Sequence, residues 1–307
     1  MANILEIKDV VKRYANHTAL NGVSMDIPTG TIFGLLGPNG AGKTSLIRII
    51  NQITGPDEGE VLFKGERLRQ IHIENIGYLP EERGLYKKMK VGEQLMYLAQ
   101  LKGMSASDAK TKLKHWFVKF GIQGWWDKNV EDLSKGMQQK TQFVATIVHE
   151  PDLIILDEPF SGFDPINANL LKDEILELKA QGKTIIFSTH RMESVEELCD
   201  NIALINKSKV VLSGDKKQIK QDFKDNSYTV EFTGQMPVLD PAYHVVDSTL
   251  IENDYHKIHV KVGEGGSVNQ LVASVMAQTE LKYFSENIPS FNDIFIKVVG
   301  ESANELL

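Results

Sequence analysis

The sequence predicts an α/β fold followed by a smaller α+β domain, and three observations carry that prediction. Residues 37–44 read Gly-Pro-Asn-Gly-Ala-Gly-Lys-Thr, a glycine-rich turn between an apolar run at 31–36 and a helical pattern at 45–50. Two further runs, Leu-Ile-Ile-Leu at 153–156 and Thr-Ile-Ile-Phe-Ser at 184–188, have the near-continuous apolar character of parallel strands buried on both faces. After about residue 223 the pattern changes to short alternating strands and two helices, with a different charge balance.

Along the chain, residues 4–11 and 19–27 read as antiparallel strands, the second clearly alternating. The run at 31–36 is a short buried strand, the glycine loop follows, and 45–50 is a helix. Residues 60–63 and 76–80 read as strands. From about 91 to 149 the period is helical. Residues 92–101 and 107–120 carry apolar side chains three and four apart, Ser105 or Ser107 caps the second helix, and Ser134 precedes another at 138–148. The strands at 153–156 and 184–188 are each followed by a helix, at 167–180 and 192–199. Strands at 202–205 and 209–212 close this part. Beyond it, 227–232 and 256–262 alternate as strands, 268–277 is helical, 281–288 is a strand, and 290–299 is a helix opened by Ser290. The expected division is 1–222 and 223–307, with a helical subdomain at about 87–150.

Composition narrows the class. The chain has 307 residues, of which 42% are hydrophobic and 24% charged, as in soluble globular proteins. No apolar run reaches the roughly 18 residues of a membrane-crossing helix, so none is expected. The N-terminus lacks the basic and apolar regions of a signal peptide. A single cysteine, Cys199, excludes an internal disulfide and fits a reducing cytoplasm; within its helical pattern it reads as a small buried hydrophobe. The net charge of −7 is unevenly placed. Residues 223–307 hold 5 basic and 12 acidic side chains, against 29 of each in residues 1–222. An acidic domain disfavours nucleic acid and anionic lipid, so no nucleic-acid partner is expected.

The octapeptide at 37–44 fits G-x-x-x-x-G-K-[ST], the phosphate-binding P-loop, in the strand–loop–helix setting that the motif requires. Glycines let the backbone curl until several N–H groups face phosphate oxygens, and the helix N-terminus adds partial positive charge. Lys43 reaches the β- and γ-phosphates, and the Thr44 hydroxyl binds Mg²⁺. The candidate nucleotide contacts here are Gly37, Asn39, Gly40, Gly42, Lys43, Thr44 and Ser45. The second motif is Leu153-Ile154-Ile155-Leu156-Asp157-Glu158, a buried strand opening on two carboxylates at the edge where open α/β sheets bind ligands. Asp157 is the candidate Mg²⁺ holder, and Glu158 the general base that polarises the attacking water.

A third element, Leu133-Ser134-Lys135-Gly136-Met137, lies just before that strand, and His190 follows the strand at 184–188. P-loop, helical insert, Leu-Ser-x-Gly, Leu-Asp-Glu and histidine, in this order, resemble the ATP-binding subunit of ABC transporters over residues 1 to about 220. The resemblance implies that Ser134 and Gly136 belong to a signature motif touching the γ-phosphate of an ATP held by a second subunit's P-loop. Lys135 and Met137 depart from the commonest Leu-Ser-Gly-Gly-Gln pattern. Tyr14 then matches the aromatic residue that stacks on adenine, and His190 the histidine that senses the γ-phosphate. Residues 161–165 match the loop that meets the partner subunit. Glu81 stands where the family carries the glutamine of its Q-loop, and is a candidate Mg²⁺ contact.

The segment Glu81-Glu82-Arg83-Gly84-Leu85-Tyr86, the Ser-Lys-Gly-Met signature and the tail Pro289-Ser290-Phe291-Asn292-Asp293 resemble a narrower group, the ABC-2 type exporter ATPases with a small C-terminal domain. That resemblance implies ATP and Mg²⁺ as cofactors and a homodimer or heterodimer of ATPase subunits. It also implies separate transmembrane permease subunits on the inner face of the membrane. Trp116, Trp125 and Trp126 either line a docking groove for such a subunit or belong to the core. The rivals are an ABC ATPase acting on ribosomes or DNA and a nucleotide sensor without turnover. One cassette per chain and the short insert weigh against the first, Glu158 and His190 against the second.

Overall fold

The structure is a computed structural model, and its described residues are 2–82 and 84–304, with side chains described through residue 300. Arg83 of the loop at 81–86 and residues 305–307 of the tail lie outside them. The chain divides into two compact units at Lys216/Lys217, the second ending at Glu301.

The first unit begins with a hairpin, β1 (Asn3–Tyr14) and β2 (His17–Pro28); β2 alternates to bury Val23, Met25 and Ile27, and β1 buries Ile4, Leu5 and Ile7. β3 (Ile32–Leu36) is buried at every residue and runs through the glycine loop into α1 (Lys43–Ile50). β4 (Glu58–Phe63) and β5 (Glu66–Arg67) extend the hairpin to an antiparallel sheet of order β2-β1-β4-β5. β6 (Ile76–Leu79) leads to the helical insert of α2 (Val91–Leu101), α3 (Ala106–Lys119) and α4 (Lys135–Ile147). β7 (Leu153–Asp157), α5 (Pro165–Ala180), β8 (Thr184–Ser188), α6 (Met192–Leu198), β9 (Asn201–Asn206) and β10 (Lys209–Asp215) complete the unit. The second sheet has the order β10-β9-β3-β8-β7-β6, parallel except for β10. One core joins both sheets to α1 through Phe33, Leu46, Ile49, Val61 and Ile155.

Helix starts follow local chemistry. Ser105 caps α3 by accepting from the Asp108 N–H at 3.1 Å. α4 begins at Lys135, three residues earlier than its apolar pattern predicts, because Ser134 caps it by accepting from the Met137 N–H at 3.3 Å. α5 begins at Pro165 rather than 167, with Asp164 as cap and proline in the first turn, where its missing N–H costs nothing. Cys199 is 2% exposed, and burial pushes its thiol up to about 12, so it behaves as an inert hydrophobe. Trp126 packs against Gly92 and Phe117, where a β-carbon on Gly92 would meet the indole at 2.4 Å.

The second unit opens with α7 (Lys216–Asp222), followed by β11 (Ser227–Thr233), β12 (Tyr243–Glu252), β13 (Tyr255–Val262), α8 (Val268–Gln278), β14 (Glu280–Glu286) and α9 (Phe291–Asn304). Its antiparallel sheet runs β12-β13-β11-β14, around a core of Val230, Phe232, Ile258, Val260, Leu271 and Val275. The boundary lies six residues before the composition shift at 222/223. α7 belongs with this unit, its Lys220 ammonium lying 5.7 Å over the Phe291 ring of α9. The sequence pattern predicts no strand at 243–252; β12 forms because β13 offers it a ladder from Tyr243↔Val262 to Glu252↔Tyr255.

Candidate active site

The sheet order decides which side chains can meet. β3, β8, β7 and β6 are adjacent and parallel, so their C-terminal ends open side by side on one edge. From β3 comes the glycine loop, from β8 Thr189 and His190, from β7 Asp157 and Glu158, and from beyond β6 Glu81. A cleft of about 310 Å³ at this edge is lined by Tyr14, His17, Asn39, Gly40, Gly42, Lys43, Thr44, Ser45, Glu81, Asp157, Glu158 and His190. Residues 120 and more apart in sequence thus share one cavity.

Two loop glycines are required by space as well as by conformation. Gly37 has φ 148° and Gly42 φ 118°; a β-carbon would fall 2.2 Å from the Ile205 carbonyl oxygen at the first and 2.3 Å from that of Ala19 at the second. The loop is packed against β9 and β2 main chain, which holds its N–H groups in a fixed curl at the start of α1. Lys43 is only 9% exposed. Its ammonium donates to the carbonyls of Gly37 at 2.7 Å and Pro38 at 3.0 Å. Burial lowers its pKa, while the negative charges of Asp157, Glu158 and Glu81 oppose that shift.

Asp157 is the last residue of the β7 ladder and is 5% exposed. Burial raises its carboxyl above the ordinary value, and the neighbouring Glu81 and Glu158 carboxylates add to the rise. Glu158 is the first residue out of the ladder and takes a left-handed backbone at φ 48°, which is uncommon for a residue with a β-carbon. Its N–H donates to the Ser188 carbonyl at 2.9 Å. Its carboxylate receives the Thr189 hydroxyl at 3.2 Å and the His190 N–H at 2.9 Å, and the His190 Nδ1 lies 2.6 Å from Oε1. Glutamate and histidine, predicted separately, are therefore one hydrogen-bonded pair. Thr189, buried at 1%, also accepts from the Arg191 N–H at 3.1 Å. No role for Thr189 follows from the sequence pattern, although it adjoins His190; the same is true of His17.

Tyr14 ends β1 at the mouth of the cleft, 38% exposed, with the Lys12 ammonium 5.6 Å from its ring centre. Ser134 and Gly136 do not line this cleft. They form the first turn of α4, where Gly136 lies beside Phe163. Two residues beyond Met137, the Gln139 amide donates to the Pro159 carbonyl at 3.2 Å, tying α4 to the segment that follows Glu158.

Among the described residues, no three His, Cys, Asp or Glu side chains converge to hold a metal unaided. The Thr44 hydroxyl and the Asp157 and Glu81 carboxylates do share the cleft. Mg²⁺ commonly takes one or two protein oxygens and completes its shell with phosphates and water, so this donor set fits it. Among the described residues, no helix is long and apolar enough to cross a membrane.

Residues 20–161 match the family described as ABC transporter, and residues 214–299 the family described as ATP-binding protein DrrA1-3-like, C-terminal domain. The chain is 41% identical over 298 residues to an uncharacterized ABC transporter ATP-binding protein of Bacillus subtilis, YhaQ; the match covers 97% of this chain and 99% of that one. It is 33% identical over 213 residues to the Nod factor export ATP-binding protein I of Burkholderia lata, covering 68% of this chain and 70% of the relative. A solved ATP binding subunit of an ABC transporter superposes with a TM-score of 0.67 at 30% identity, over 72% of this chain and 93% of that one.

Proposed function

The chain belongs to the ATP-binding proteins of ABC transporters, and from that premise we propose that it is the ATPase subunit of a membrane exporter. The P-loop residues Gly37, Asn39, Gly40, Gly42, Lys43, Thr44 and Ser45 hold the phosphates, and Tyr14 stacks on the adenine. The attacking water adds to the γ-phosphorus as the bond to the bridging oxygen breaks. Glu158 takes the water's proton, while Thr189 and His190 hold its carboxylate in place. Thr44, Asp157 and Glu81 would hold Mg²⁺, which when bound offsets phosphate charge and the mutual repulsion of these carboxylates.

One observation carries the reading: the cleft gathers the glycine loop, Lys43, Asp157, Glu158 and His190, yet its lining lacks Ser134 and Gly136. A signature serine at a helix N-terminus is suited to an anion, and here that anion is the ATP of a second subunit. Two ATPase subunits, identical or different, close head to tail on ATP and reopen on hydrolysis. Separate transmembrane permease subunits convert the cycle into transport and keep this chain on the cytoplasmic face. The export direction is supported by the Nod factor export relative. Residues 217–301 act as an accessory domain without contact to ATP.

Composite sites make a test. Ser134→Arg abolishes hydrolysis but leaves ATP binding to the isolated monomer nearly unchanged, whereas Lys43→Ala loses binding. Mixing the two variants assembles at most one competent site per dimer. Ser134→Arg monomers that lose ATP affinity as badly as Lys43→Ala would overturn the two-subunit site. Purification of the chain from membranes, with identification of the subunits that accompany it, tests the exporter assignment.

A further inference from the structure

The face of α4 that enters the core carries an amide. Phe143 and Ile147 are buried on it at four-residue spacing, and Gln139, one turn earlier, is as fully buried at 2% exposure. An amide taken out of water costs free energy unless it is hydrogen-bonded, so packing alone would favour an apolar residue here. The Gln139 Nε2 has its partner in the Pro159 carbonyl at 3.2 Å. Pro159 is itself buried, and a buried main-chain carbonyl without a donor carries a similar penalty. Each group therefore satisfies the other.

Immediately before Pro159 stands Glu158, in its left-handed conformation at φ 48°. On the strand side the turn is tied to the sheet, because the Glu158 N–H donates to the Ser188 carbonyl. Beyond Glu158 its bonds are local: the Glu158 carbonyl accepts from the Ser161 N–H at 3.0 Å, and Pro159 has no N–H to offer. The Gln139 amide adds a tie from outside the turn, from a helix 20 residues earlier in the chain. Thr189 and His190 hold the Glu158 carboxylate, whereas Gln139 holds the main chain that carries it. An uncommon backbone conformation persists where its surroundings over-determine it.

We propose that Gln139 is a positioning residue for hydrolysis, fixing through the Pro159 carbonyl the turn that aims the Glu158 carboxylate at the attacking water. Gln139 does not line the nucleotide cleft, so it acts on the turn and not on ATP. The proposal rests on the reading of Glu158 as general base.

The experiment uses the full chain with Mg²⁺ and ATP. Gln139→Met keeps the length of the side chain and removes its donor. It lowers kcat by on the order of tenfold to a hundredfold, the scale of a misplaced catalytic group, and leaves ATP affinity unchanged. Thr141→Val is the control for the helix: Thr141 is buried in α4 and donates to the Met137 carbonyl at 3.0 Å, away from the turn, and its loss leaves kcat as in wild type. Gln139→Met combined with Glu158→Gln hydrolyses no more slowly than Glu158→Gln alone, since no base is left to misplace. Gln139→Asn, which draws the amide back by one methylene, repeats the loss of kcat if Gln139→Met does not fold. Near wild-type turnover in a folded Gln139 variant overturns the proposal. So does a loss in Thr141→Val as large as that in Gln139→Met, or a further loss in the double variant. If Glu158→Gln itself hydrolyses at the wild-type rate, the reading of Glu158 as base fails and the proposal with it; an inactive Glu158→Gln beside a fully active Gln139→Met overturns the proposal alone.

Discussion

Replacing Glu158 by glutamine tests the chemistry with little disturbance of the fold, and the geometry shows why. The carboxylate accepts from the Thr189 hydroxyl, the His190 N–H and, in its Nδ1–H tautomer, the His190 ring. An amide of the same shape keeps an oxygen toward His190, which retains both of those bonds. Its NH₂ then faces Thr189, whose hydroxyl oxygen can accept instead of its proton being donated. All three bonds lose their charge assistance while their geometry is kept, so stability changes by on the order of a few kcal/mol at most. ATP affinity holds, since Lys43 and the glycine loop are untouched. Turnover does not hold, because an amide cannot take the water's proton. Loss of a general base is worth on the order of 10²-fold or more, about 3 kcal/mol on the barrier.

Phosphate release at saturating ATP gives the rate, titration with a fluorescent nucleotide gives the affinity, and size-exclusion chromatography reports the ATP-trapped dimer expected when hydrolysis is blocked. A Glu158→Gln protein that folds, binds ATP and hydrolyses it at near wild-type rate would refute this assignment. Glu158 would then not be the base, and its bonds to Thr189 and His190 would serve only the local fold.

Three further outcomes follow from particular contacts. Thr189→Val removes one hydrogen bond to the Glu158 carboxylate and the acceptor of the Arg191 N–H; it lowers kcat about tenfold or more with unchanged ATP affinity, and steady-state phosphate release checks it. His149 is held at a pKa of about 4 by burial and by the Lys102 charge, against 6.5 unfolded, so the unfolded chain takes up its proton first as pH falls. Wild type therefore loses about 3 kcal/mol relative to His149→Leu between pH 6.5 and 4, read from urea midpoints of both proteins; parallel pH curves would refute this. A chain ending at Lys216 binds ATP with the affinity of the full chain; a well-folded shortened chain that has lost ATP binding would show that the second unit helps build the cleft.

What was legible in the sequence tracks burial. β3, β7 and β8 are buried at every residue, and each is an uninterrupted apolar run that only a doubly covered parallel strand explains. β12 was not legible: His244, Asp247, Ser248 and Thr249 break its alternation, and a strand exposed on both faces has no burial to impose a period. Helix starts were displaced toward their caps, since Ser134 and Asp164 begin helices whose apolar pattern starts later. The glycine loop, Asp157, Glu158 and His190 could each be singled out by type and flanking pattern. Their hydrogen bonds could not, because Glu158 and His190 stand 32 residues apart and meet only through the β7–β8 register.

That register also explains how two adjacent carboxylates come to differ. It pairs Asp157 with Ser188, making them the last rung of the ladder. Asp157, still within the strand, is buried beside Glu81 and Glu158, and its carboxyl is raised. A cation is what such a group needs in order to stay ionised. Glu158 leaves the ladder at φ 48° with its N–H on the Ser188 carbonyl, and this turn brings its carboxylate under the donors of Thr189 and His190, the residues that leave β8 at the same level. A left-handed residue with a β-carbon costs roughly 1–2 kcal/mol, and the three donors to its carboxylate offset that. Asp157→Asn and Glu158→Gln are thus predicted to fail differently, the first in Mg²⁺-dependent ATP affinity and the second in turnover. Equal losses of affinity in both would mean that the last rung does not divide their roles.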